Sequence, residues 1–92
     1  MAAIGFEQLT VAASSVSLTA ATFGTANRAK IHCETAAVRF RVDATAPTAS
    51  VGDFLEPGDI LELTDADELN RARFIRRDGT SATLNCHYLL DD

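Results

Sequence analysis

The residues best suited to chemistry form a mirrored pair, His32-Cys33 and Cys86-His87. Two histidines and two cysteines could complete a tetrahedral zinc site, since imidazole nitrogen and thiolate sulfur are usual zinc ligands. The local pattern argues against it. Each pair lies in a run that alternates apolar and polar residues, and neighbouring side chains of a strand point to opposite faces. Each Cys is thereby parted from its His, with thiols turned to a core and imidazoles turned to solvent. The spacing also matches no zinc motif. Buried free thiols are the plainer reading, with a Cys33–Cys86 disulfide left open if the two strands prove to be neighbours.

Other constellations reduce in the same way. Asp65, Asp67 and Glu68 gather three carboxylates, but a calcium loop also needs a glycine and a distal glutamate that this stretch lacks. Asp65 with Glu68 three residues on instead reads as the capping box of a short helical turn over residues 65–69. No G-x-S-x-G elbow is present, and the two histidines sit on ordinary alternating strands. Neither an enzyme nor a cofactor nor a bound metal is expected. Sugar recognition usually needs an exposed aromatic platform. The chain has no Trp and one Tyr; Tyr88 falls in an inward set, and the five Phe read mostly as core.

The elements that must position these residues are strands. Residues 37–63 organise the chain: an alternating run, a proline-bearing crossing, a sharp turn at Pro57-Gly58, and a second apolar run. Pro57 presets one dihedral and Gly58 accepts positive φ, the demands of a type II turn. Residues 4–11 read as a first strand, with Ile4, Phe6, Leu9 and Val11 as apolar contacts and a bulge between Phe6 and Leu9 to restore phase. Residues 16–19 follow as a short strand, and residues 20–27 as a loop in which Phe23 plugs one end of the core. Ala29, Ile31 and Cys33 alternate with Lys30, His32 and Glu34; Val38, Phe40 and Val42 alternate with Arg39, Arg41 and Asp43. With only residues 35–37 between them, these two runs are expected to pair as a hairpin. Pro47 cannot donate to a ladder, which sends residues 44–54 to a sheet edge or across between sheets. Residues 72–77 and 81–88 flank Asp78-Gly79, the sequence of a two-residue type I′ hairpin. The second arm turns Ala82, Leu84, Cys86 and Tyr88 inward. Seven or eight short strands at this spacing predict an all-β fold, a small antiparallel β-sandwich with the jelly roll among its forms.

Composition sets the outer limits. Ninety-two residues make one domain, spanning 1–92, with a modest core. A net charge of -5 argues against nucleic acid as the partner, although Arg71, Arg73, Arg76 and Arg77 cluster locally beside Asp65, Asp67, Glu68 and Asp78. No stretch approaches the ~20 apolar residues that a membrane helix needs. The amino-terminal residues lack a basic n-region, so synthesis in a cytoplasm is expected.

With these segments laid out, the chain resembles a family of small bacteriophage proteins. The likeness rests on T-A-A-V-R-F-R-V-D-A-T-A-P-T-A-S-V-G at residues 35–52, P-G-D at residues 57–59, and R-F-I-R-R-D-G-T-S-A-T-L at residues 73–84. Ala44 stands where that pattern carries glycine. The resemblance implies a virion component: a capsid decoration or cement protein, a head fibre or a tail accessory part. Its partner would be the major capsid protein or another virion protein, and it would act as a homo-oligomer, a trimer among the closed forms. It would be made in the host bacterial cytoplasm and reside in the virion. Arg39, Arg41, Arg73, Arg76 and Arg77 could pair with acidic capsid surface, and Thr45, Pro47 and Thr48 could lie flat across a partner. A solvated sheet face and a plain crossover loop are the bland alternatives. A tail-associated or head-fibre module that recognises host-surface carbohydrate is the second functional reading.

Overall fold

Strand alternation is realised in two four-stranded antiparallel sheets. The structure, a computed structural model, describes residues 2–48 and 50–91. Its strands are β1 (Ala2–Val11), β2 (Val16–Ser17), β3 (Arg28–Glu34), β4 (Val38–Arg41), β5 (Asp53–Leu55), β6 (Ile60–Leu63), β7 (Arg73–Arg76) and β8 (Ala82–Leu90). Two short helices join them, α1 (Ala20–Phe23) and α2 (Ala66–Arg71). One sheet runs β1-β8-β3-β6 and the other β2-β7-β4-β5. First pairs with last, second with seventh, third with sixth and fourth with fifth. That is a long antiparallel ribbon rolled up by the β3–β8 and β4–β7 contacts, which is the jelly-roll arrangement.

The inner faces meet as predicted for the central strands. Ala29, Ile31 and Cys33 of β3 lie beside Ala82, Leu84, Cys86 and Tyr88 of β8 on the inner face of the first sheet, and all seven are buried. Val38, Leu55 and Phe74 close the core from the second sheet. Full burial of an Ile, Leu or Phe stabilises by about 1.5–3 kcal/mol each, so Ile31, Leu84 and Phe74 are principal holds. Phe23 plugs the end of the core, its ring 5.7 Å from that of Tyr88.

Four expectations are corrected. Residues 20–27 are not all loop, because residues 20–23 form the turn of helix α1. The bulge of β1 lies between Ala3 and Gly5, not after Phe6. Gly5, Glu7, Leu9 and Val11 are therefore the inward set, and Ile4 and Phe6 stand exposed on the outside. An inward Glu7 is tolerated because its carboxylate accepts hydrogen bonds from the Tyr88 hydroxyl and from the Thr19 amide and hydroxyl. The third correction concerns β3 and β4, which do not pair. Thr35 takes a φ of 76°, the chain crosses to the other sheet, and Arg39 and Arg41 do not share a face with Lys30, His32 and Glu34. Likewise β7 and β8 lie in different sheets. A type I′ turn needs positive φ at both central residues, and neither Asp78 nor Gly79 has it.

Turn chemistry was legible elsewhere. Gly58 has φ 97°, and the Asp59 amide donates to the Glu56 carbonyl at 2.9 Å, as a type II turn requires. Asp65 caps α2 by accepting from the Glu68 amide at 2.8 Å, while Glu68 reaches back to the Thr64 amide at 2.7 Å. Asp65→Ala should therefore lower stability by about 1 kcal/mol, read as a lower urea midpoint at unchanged slope. Ala44, where the resembled pattern has glycine, adopts φ 67°. A side chain in that region costs roughly 1–2 kcal/mol. Ala44→Gly should consequently raise the urea midpoint, an uncommon gain for an alanine-to-glycine change.

Candidate partner-binding face

Alternation in β4 and β7 decides which arginines come together. Arg39 stands opposite Ile75 and Phe54, and Arg41 opposite Arg73. These residues, with Arg77 one step past β7, lie on the outer face of the β2-β7-β4-β5 sheet. Phe54 anchors the group. It is one of the five Phe that read mostly as core from sequence, yet it is 48% exposed. The Arg77 guanidinium carbon lies 4.8 Å from its ring centroid and that of Arg39 lies 5.6 Å away. Such cation–π contacts hold the charges over a rigid strand without removing them from solvent.

Hydrogen bonds fix the remaining geometry. Arg39 Nη1 donates to the Gly52 carbonyl at 2.7 Å. Arg41 engages Asp43 by a two-pronged fork, and that hydrogen bond holds the Asp43 carboxyl below the usual carboxylate range. Arg73 donates to the Asn70 and Ala72 carbonyls at 3.0 and 2.9 Å. Arg77 lies 3.5 Å from Glu56 and 3.4 Å from Asp78. The face thus carries four oriented guanidiniums, rimmed by Asp43, Glu56 and Asp78.

The other sequence candidates are placed differently. Arg76 sits opposite Val38, in the inward register, away from this face. Thr45, Pro47 and Thr48 belong to the connection over residues 42–52, which joins the neighbouring strands β4 and β5 at the sheet edge. Pro47 is buried, so its ring packs under the loop instead of lying against a partner. Gly52 makes that packing feasible, since a Cβ there would come within 2.9 Å of the Phe40 carbonyl oxygen and 3.1 Å of Pro47. The Thr48 hydroxyl accepts from the Ser50 and Val51 amides. Thr45 is exposed and donates its amide to Asp43 at 3.4 Å. Beside the loop, residues 40–43 and 51–53 line an open groove of about 580 Å³.

The His–Cys pairs separate as alternation predicts: Cys33 and Cys86 are buried and free, while the histidines take the outer face of the first sheet. Cys33 stands opposite Leu84, and Cys86 opposite Ile31. Such a diagonal pair is about 7–8 Å apart, beyond ordinary disulfide reach. Burial, aided by the charge of Asp59, pushes the Cys33 thiol up to about 11. Burial and the Glu7 charge push that of Cys86 up to about 12. Both are protonated at neutral pH and poor nucleophiles.

Phe54 is the residue that sequence reasoning missed. Little in the sequence marked it, because Phe54 is the middle residue of β5, a strand of three residues and too short a run for alternation to specify which side is buried. No protein-family model matches the chain, and neither a curated protein nor a solved structure gives a match.

Proposed function

We propose that the protein is a non-enzymatic structural component of a bacteriophage particle, decorating or cementing the capsid through protein–protein contacts. The observation that carries the docking half of this reading is the arginine face: Arg39, Arg41, Arg73 and Arg77 side by side on one sheet, with Phe54 between two of them. On a chain of net charge -5, such a face is a local reversal of sign that selects an acidic surface. Arginine and an aromatic ring are also the residue types that most often dominate protein interfaces. The phage half rests on the resemblance in residues 35–52, 57–59 and 73–84. A wound sandwich suits a rigid cementing module.

The test is co-sedimentation of the purified protein with particles of the phage that encodes it, over a salt series. Saturable binding that weakens as salt rises supports the reading, because charge pairing at an interface is screened. Absence of the protein from purified virions, together with no binding to particles, would overturn it. The exposure of Phe54 favours a second reading, a head-fibre or tail module for host-surface carbohydrate. Against that, two guanidiniums already cover its ring. Binding on a glycan array that is abolished by Phe54→Ala would establish that reading instead.

A further inference from the structure

We propose that β1 is a homotypic docking edge, along which a second copy of this chain adds its own β1 antiparallel across a two-fold axis. The two β1-β8-β3-β6 sheets then run on as one eight-stranded sheet. Sheet edges in natural proteins are blunted by shortness, charge, proline or cover, since unpaired backbone groups otherwise recruit another strand. Three edges of this sandwich are short: β2 has two residues, β5 three and β6 four. The fourth, β1, has ten. It contains no proline, and its single charge, Glu7, is turned inward onto Tyr88 and Thr19.

The backbone groups that would pair can be named. The Cys33 amide donates to the Asp59 carbonyl, so odd-numbered residues of β3 address β6 and even-numbered ones address β8. Carried through the β3–β8 and β1–β8 registers, the same alternation turns Gly5, Glu7 and Leu9 toward β8. Phe6, Gln8 and Thr10 turn their N–H and C=O groups to the open edge, where β1 has no neighbouring strand in its sheet. Their side chains, with that of Ile4, lie on the outer face and carry no charge.

A second copy is the occupant that the charges favour. At net charge -5, two chains repel over most of their surface, and this strand is a stretch where they can meet without like charges in contact. Pairing across a two-fold also brings Phe6 of each copy, 54% exposed in the single chain, beside uncharged residues of the other. An isologous contact of this kind closes at two copies, so it does not propagate into a fibre. It does not depend on the phage assignment.

Light scattering after size exclusion, combined with amide hydrogen exchange, tests it. Expected is a particle of twice the 9.8 kDa chain mass, with the Phe6, Gln8 and Thr10 amides protected to a degree that rises with protein concentration. Gln8→Pro removes an outward N–H and one exposed side-chain hydrogen bond, from Gln8 Nε2 to Asn85 Oδ1, so it should leave the fold intact and weaken association at least tenfold. Should proline distort the strand by circular dichroism, Phe6→Lys with Gln8→Lys supplies the same test with the backbone unaltered. A monomer at all concentrations overturns the proposal. So does any oligomer in which these three amides exchange freely, or whose mass the folded edge variants leave unchanged.

Discussion

Raising the pH above about 9 is expected to unfold the protein cooperatively, with its one tyrosine ionising only as the fold is lost. Tyr88 is fully buried and donates its hydroxyl proton to Glu7, with the Cys86 sulfur close by. Burial first, and then that hydrogen bond to a carboxylate, push its ionisation well above the ordinary value of 10.0. The thiols of Cys33 and Cys86 are raised likewise, from 9.0 to about 11 and about 12. A group that holds its proton more tightly when folded contributes stability below its unfolded pKa and loses it as pH rises. All three act in one direction, so stability is flat to about pH 9 and then falls, first through the thiols and then through the phenol. Tyrosinate absorbance and circular dichroism should change together. If tyrosinate formed near pH 10 with the circular dichroism still native, the Tyr88–Glu7 contact would be disproved. Cys86→Ala should move the onset of the alkaline transition upward. Tyr88→Phe should cost about 1–3 kcal/mol at neutral pH, the price of a hydrogen bond to a charged, half-buried acceptor that keeps only its Thr19 donors.

Reversing the charge of Arg39 and Arg77 together should weaken attachment to particles by about 100-fold or more, the loss expected if they are hot-spot arginines at about 2 kcal/mol or more each. The two guanidiniums flank Phe54, so Phe54→Ala should act in the same direction by loosening both. Lys30→Glu is the matched control: it changes the net charge by the same amount per site but stands on the outer face of the other sheet. Equal weakening by Lys30→Glu would mean that overall charge, not this face, drives binding. Because Arg77 also meets Glu56 and Asp78, circular dichroism of the double variant must remain native, and Arg39→Ala with Arg77→Ala provides the milder version. Full binding by folded variants of both kinds would remove the arginine face from the proposed function.

What the amino-acid order determined by itself was local and periodic. The inward sets of β3 and β8, the Pro57-Gly58 turn and the Asp65 cap each depend on residues within a few positions of one another, where side-chain alternation, proline geometry and glycine's positive φ act directly. The opposite-facing His–Cys pairs followed from the same alternation. Which strands became neighbours did not. Residues 35–37 and the Asp78-Gly79 turn both suggested hairpins, yet each carries the chain from one sheet to the other, because a rolled ribbon buries both apolar faces whereas two separate hairpins would leave them open. The phase of β1 was decided at a distance too. Glu7 turns inward only because Tyr88, far along the chain, and Thr19 meet its carboxylate, and that choice expels Ile4 and Phe6. The arginine face has the same origin. Arg39 and Arg77 became partners over Phe54 when β5 and β7 closed on the two sides of β4, since pairing at long sequence separation is selected by the burial of whole faces and not by local preference.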